Sequence, residues 1–203
     1  AVSCGAGSQA VTLAFDTTGT ASTTVQYADV GQVSLAATYT GSGNDAGLTM
    51  TGSDSFIAAP YTLALSAASG TRIAGVAFSA TVTAQNISGA ATPNFGRETS
   101  PEGVTLGWVR TQPQASGAVN GSFSGSAGSF ASGSATVSSF QWSEVGRGDL
   151  SAVLASGNYL GSGYAAAGSS AGVPVLCANE GGTCALPSGA TALVYFGRGG
   201  RLA

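Results

Sequence analysis

Val25-Gln26-Tyr27-Ala28-Asp29-Val30-Gly31-Gln32-Val33-Ser34-Leu35-Ala36-Ala37 aligns without a gap on Phe140-Gln141-Trp142-Ser143-Glu144-Val145-Gly146-Arg147-Gly148-Asp149-Leu150-Ser151-Ala152. Both copies read apolar, Gln, aromatic, any residue, acid, Val, Gly, three open positions, Leu, any residue, Ala. Each is followed by a tyrosine and a Gly-Ser-Gly, Tyr39 with Gly41 to Gly43 and Tyr159 with Gly161 to Gly163. Val30 and Val145 stand 115 residues apart. Self-similarity at a fixed period marks a repeated structural unit, and this period is close to the ~100 residues of one small β-sandwich domain.

The centre of each copy, aromatic-x-acid-x-Gly, resembles the corner that precedes the penultimate strand of Ig-like sandwiches. There an acidic side chain accepts turn amides, glycine supplies a tight backbone and the aromatic ring caps the core. Tyr27, Asp29 and Gly31 form one such corner, and Trp142, Glu144 and Gly146 the other. Asp29 and Glu144 are therefore expected to brace turns and not to catalyse.

Outward from the repeat, alternating apolar and polar residues predict short strands. They fall at Val11–Phe15, Gln32–Tyr39, Tyr61–Leu65, Val76–Ala84, Val104–Val109, Gly133–Trp142, Asp149–Leu154 and Thr191–Phe196. Turn clusters such as Gly41-Ser42-Gly43-Asn44-Asp45 and Asn120-Gly121 separate them. The best helical candidate, Ser66–Ala74, is weakened by glycine and threonine. The expected fold class is all-β: an Ig-like β-sandwich, one complete and one partial. Residues 1–54 would supply the closing strands of a first unit and 55–172 a complete sandwich. Residues 173–203 would supply a cysteine loop and a terminal strand that completes the first unit.

Composition excludes much chemistry. The 203 residues contain 32 glycines, nine acids and six bases, all six of them arginine, and no histidine or lysine. Ser–His–Asp and Cys–His nucleophile pairs, imidazole-ligated zinc, the P-loop lysine and Schiff-base lysines cannot be built. A net charge of −3 without a basic patch argues against nucleic acid. The expectation is no enzyme, no cofactor, no metal and no membrane-spanning helix, since no run of 18 apolar residues exists. Ala1-Val2-Ser3-Cys4 has neither the basic start nor the apolar stretch of a signal peptide, which fits a mature product or a fragment.

Cys177 and Cys184 bracket the polar loop Ala-Asn-Glu-Gly-Gly-Thr. A disulfide across it is geometrically easy, against the alternative of two free thiols, and it implies a secreted, extracellular or cell-surface setting. Cys4 is left over. It would be free, or pair with an upstream segment or another chain.

Other constellations have a plain reading beside the functional one. Arg147-Gly148-Asp149 spells an integrin-read tripeptide but opens a predicted strand, so chance occurrence is the better reading. Asn44, Asp45 and Asp54 offer calcium-type oxygens at a density that suits turns better. Arg97, Glu98 and Glu102 form the densest polar loop, better read as an ion pair or brace than as a glycosidase carboxylate pair. Trp108, Trp142, Tyr39, Tyr61, Tyr159 and Tyr164 are candidates for stacking on sugars. Trp142 reads as core, and Tyr159 and Tyr164 as the best exposed.

The run Ser55-Phe56-Ile57-Ala58-Ala59-Pro60-Tyr61-Thr62-Leu63 is followed by Gly75–Asn86 and Thr92-Pro93-Asn94-Phe95-Gly96-Arg97-Glu98. With Pro101-Glu102-Gly103-Val104, Ser143-Glu144-Val145-Gly146 and Tyr195-Phe196-Gly197-Arg198, it resembles the large C-terminal domain of MSHA pilus biogenesis protein MshQ-like surface proteins. The resemblance implies a secreted, pilus- or adhesin-associated role and supplies no catalytic residues. The expected function is a structural subunit or domain of a surface filament, pilus tip or adhesin, with copies of itself or other surface proteins as partners. A carbohydrate-binding module with glycans as partners is the alternative. Assembly is expected through strand addition by Leu193, Val194, Tyr195 and Phe196, in cis or in trans.

Overall fold

The structure is a computed structural model and describes residues 2–4, 7–67 and 72–175. Among these, period-two patterning folds as eleven strands with two short 3-10 turns and no α-helix. They are β1 (Val2–Cys4), β2 (Val25–Tyr27), β3 (Gly31–Thr40), β4 (Thr49–Ala58), β5 (Thr62–Ala67), β6 (Phe78–Gln85), β7 (Val104–Gln112), β8 (Phe123–Ser124), β9 (Ser134–Trp142), β10 (Gly146–Leu154) and β11 (Ala167–Val175).

Strands β5 to β11 form two sheets, ordered β5-β6-β9-β8 and β11-β10-β7, with antiparallel pairing throughout. Four strands opposite three, in this order, is the arrangement of a constant-type Ig-like sandwich. The alternation explains the core. On β6, Ala80, Val82 and Ala84 are buried, while Thr81 and Thr83 face out toward Thr136 and Ser134 of β9, their hydroxyl pairs at 3.5 and 2.9 Å. On β10, Gly146, Gly148, Leu150, Ala152 and Leu154 are buried. Leu63, Val137, Phe140, Phe95 and Tyr159 close the same core, and burying each large side chain stabilises by roughly 1.5–3 kcal/mol.

Before the sandwich lie a short parallel pair, β1 with β2, and a hairpin of two ten-residue strands, β3 with β4, registered from Gly31–Ala58 to Thr40–Thr49. Strand β4 runs across position 54/55, where the sequence reading divides its units, so Ser55 to Ala58 pair with β3. Val11–Phe15 is not a strand. Its apolar residues are exposed, and alternation without a neighbouring strand to pair with leaves the backbone irregular. Of the helical candidate, Ser66 and Ala67 end β5 instead.

Two loops share one device. Asp16 Oδ1 accepts the Thr18 and Thr20 amides and the Thr18 hydroxyl at 2.7–2.9 Å. Asn86 Oδ1 accepts the Ser88 and Ala90 amides and the Ser88 hydroxyl at 2.7–3.1 Å. The shared spelling, Asx-x-Ser/Thr-Gly, is that of side chains that close their own turn. These bonds, that of the Thr18 hydroxyl first, hold the Asp16 carboxyl below the usual carboxylate range.

Candidate functional site

The two corners occupy equivalent places, between β2 and β3 and between β9 and β10. Gly31 and Gly146 both have positive φ, 128° and 153°, a conformation open to glycine and strained for other residues. Trp142 is buried and stacks on Trp108 at 5.3 Å between ring centroids. Trp108 thus faces the interior and leaves the set of sugar-stacking candidates. Tyr27 and Glu144 are half-buried, and Glu144 lies against Gly121, where an added Cβ would stand 2.8 Å from its own.

Asp29 braces across the chain. Its Oδ1 accepts the Val30 amide at 2.8 Å and the Asn94 amide at 3.1 Å. Asn86 Nδ2 donates to the Ala28 carbonyl at 2.8 Å, and Val30 is buried in the core cluster with Phe95. The first corner is thereby clasped to the loop between β6 and β7. Asn86 and Asn94 carry no signal that marks them for this from sequence alone.

Glu98 and Glu102 are braces. Tyr159 donates its hydroxyl to Glu98 Oε1 at 2.6 Å, and Glu98 Oε2 accepts the Glu102 amide at 3.0 Å. Glu102 accepts the Ser156 hydroxyl at 2.6 Å and the Gly103 and Ser156 amides at 3.1 and 3.2 Å. Burial first, and the Glu98 carboxylate second, push the Tyr159 phenol well above its ordinary range. Tyr159 is 0 % exposed and stacks on Phe95, which overturns its reading as an exposed aromatic. Arg97 is exposed.

The β3–β4 hairpin stands outside the two sheets of the sandwich. Register places Val33, Leu35, Ala37 and Tyr39 on one face with Phe56, Asp54, Gly52 and Met50, while serines and threonines dominate the other. That apolar face is open: Leu35 is 39 % and Tyr39 43 % exposed. At the repeat offset, Leu150 is 0 % and Leu154 2 % exposed. Leu35 and Leu150, the same position of the motif, are bare in one unit and covered in the other.

The remaining candidates are dispersed. Arg147-Gly148-Asp149 lies in β10, the middle strand of its sheet, paired on both sides, and does not protrude. Asp45 accepts the Tyr39 hydroxyl at 2.9 Å near the hairpin tip, whereas Asp54 sits opposite Leu35 and holds the Ser55 amide. Among the described residues no three Asp, Glu, Cys or His side chains cluster as metal ligands, and no helix is long and apolar enough to cross a membrane. Tyr61 and Tyr164 are exposed neighbours, the Tyr164 hydroxyl donating to the Tyr61 carbonyl at 3.0 Å. Cys177, Cys184 and the strand-addition residues Leu193, Val194, Tyr195 and Phe196 lie outside the described residues.

Residues 1–53 match the family model described as "Domain of unknown function (DUF6701), first Ig-like domain". The match covers about a quarter of the chain and falls on the unit with the first corner and most of the open hairpin. No curated protein and no solved structure matches the chain. The described residues are all-β, and residues 1–53 are similar to an Ig-like domain of unknown function.

Proposed function

We propose that this chain is a non-enzymatic structural subunit or domain of a secreted bacterial surface filament, pilus tip or adhesin, of the MshQ-like kind, which assembles by β-strand complementation. The observation that carries the reading is the bare apolar face of β3–β4. Solvent-exposed apolar sheet faces and open strand edges are association surfaces. Delivery between copies is favoured by where β11 ends. Ala167 is held by the Thr62 hydroxyl beside the end of β6 that leads to Asn86, and Val175 pairs with Gly146 at the opposite end. Strand β11 thus ends at the opposite end of the sandwich from Thr62, which follows β4. A head-to-tail contact that does not close propagates an array.

Sedimentation velocity and electron microscopy of the purified chain test this. Concentration-dependent association is expected, and removal of residues 189–203 abolishes it. A chain that stays monomeric at all concentrations overturns the reading.

A second reading, a carbohydrate-binding module, draws on the exposed Tyr61 and Tyr164, whose rings offer apolar faces of the kind sugars stack on. Glycan-array binding lost in Tyr164→Ala decides for it.

A further inference from the structure

We infer that the open hairpin is a slot for one added strand, that the strand crosses it at Gly52, and that the segment filling it is Thr191–Phe196. This rests on the complementation reading for its source and on the repeat for its geometry. In the sandwich, Ala152 of β10 pairs with Gly168 of β11. Strand β5 lies directly over that glycine: a Cβ added at Gly168 would collide with the Leu63 carbonyl. Glycine here is a clearance that lets another backbone approach. In the hairpin, Ala37, the repeat equivalent of Ala152, pairs with Gly52. Gly52 has the same clearance and nothing fills it, since an added Cβ would meet no atom within 4 Å. Leu35 and Tyr39 stand two residues to either side of Ala37, as Leu150 and Leu154 stand to either side of Ala152. The hairpin therefore repeats the seat of β5 without its occupant.

Two observations select the occupant. Ala192 to Phe196 is the longest uninterrupted apolar run in residues 176–203, as a strand buried against Leu35 and Tyr39 requires. Charge complements it: residues 31–58 carry Asp45 and Asp54 and no base, whereas residues 189–203 carry Arg198 and Arg201 and no acid. Asp45 lies at the hairpin tip and Asp54 on the slot face opposite Leu35, and opposite charges placed along a contact favour one register over others. Main-chain approach at Gly52 with apolar insertion on either side is the usual pattern of strand addition, in which the backbone gives affinity and side-chain pockets give selectivity.

The test uses the full chain carrying Leu193→Asp and Tyr195→Asp, so that its own segment does not occupy the slot. A fluorescein-labelled peptide of residues 189–203 is titrated onto it and followed by anisotropy. Saturable binding is expected, weakened about tenfold or more by Gly52→Val. That substitution leaves the melting temperature unchanged, because the position is open and valine suits a strand. Equal binding to both proteins, or none to either, overturns the slot. Binding of a peptide of residues 58–67, the β5 sequence, in place of the 189–203 peptide overturns the choice of segment. The assembly reading fails separately. If the unmodified chain is monomeric while peptide binding depends on Gly52, the slot stands. If it associates equally with Gly52→Val, assembly stands and the slot falls.

Discussion

Gly31 and Gly146 hold the same position in two copies of one motif and differ in what surrounds them. At Gly146 an added Cβ would strike the Gln112 carbonyl, in addition to the strain of its positive φ. At Gly31 only the strain applies, because the space is open. Gly31→Val is expected to destabilise by about 1–2 kcal/mol and Gly146→Val by more, roughly 3 kcal/mol, since overpacking adds to conformational strain. Urea denaturation of both variants checks the order, and equal losses would remove the steric part of the argument. Tyr159 gives a pH signature. Its phenol stays protonated in the fold, held there by burial and by Glu98, whereas an unfolded tyrosine ionises near 10.0. Above that pH the unfolded chain binds fewer protons than the folded one, so stability falls as pH rises. The contribution is complete below pH 10 and declines above it by at most about 1.4 kcal/mol per pH unit. Tyr159→Phe should flatten that decline, and should cost about 1 kcal/mol at neutral pH for the lost hydrogen bond to Glu98. Urea midpoints from about pH 8 to pH 11 check both.

At the scale of strands, what a residue contributes depends on whether a second sheet lies over it. Leu150 is enclosed between β10 and the β5-β6-β9-β8 sheet, and Leu35 occupies the matching place on a hairpin with no cover. Leu150→Ala should therefore destabilise by about 2–5 kcal/mol, as large-to-small changes in cores do. Leu35→Ala in the monomer should stay within about 0.5 kcal/mol, as at other exposed positions. Equal losses in thermal unfolding would show that the hairpin face is covered. The same contrast explains which strands were legible. The alternation marks β6 and β9 to within two residues, and marks β7 as Val104–Val109 and β10 as Asp149–Leu154, each three residues short. Strand β4, written Thr-Met-Thr-Gly-Ser-Asp-Ser-Phe-Ile-Ala, and β11, written Ala-Gly-Ser-Ser-Ala-Gly-Val-Pro-Val, are not marked by alternation. Small and polar residues hide their period, and their partners β3 and β10, not their own composition, hold them extended. Val11–Phe15 fails in the opposite way, with a clear alternation and no sheet to join.

In the molecule as a whole, the first corner meets the sandwich through Asp29, Ala28 and Val30 against Asn94, Asn86 and the Phe95 end of the core. This clasp combines the buried Val30 side chain with a neutral hydrogen bond from Asn86 to the Ala28 carbonyl and one from the Asn94 amide to the Asp29 carboxylate, the latter being the stronger kind. The sequence by itself determined the all-β class, the repeat, the corner positions and the absence of histidine and lysine. These follow from local pattern, because period-two alternation, glycine and turn chemistry act within a few residues of chain. Only the tertiary structure decided that Tyr159 is enclosed by Phe95 and Glu98, that Trp108 faces Trp142, and that Arg147-Gly148-Asp149 is locked in a central strand. It alone separated two copies of one motif into a covered face at Leu150 and a bare one at Leu35. The physical reason is that burial is set by which elements lie opposite, over separations of tens of residues, and a shared local motif carries no record of that.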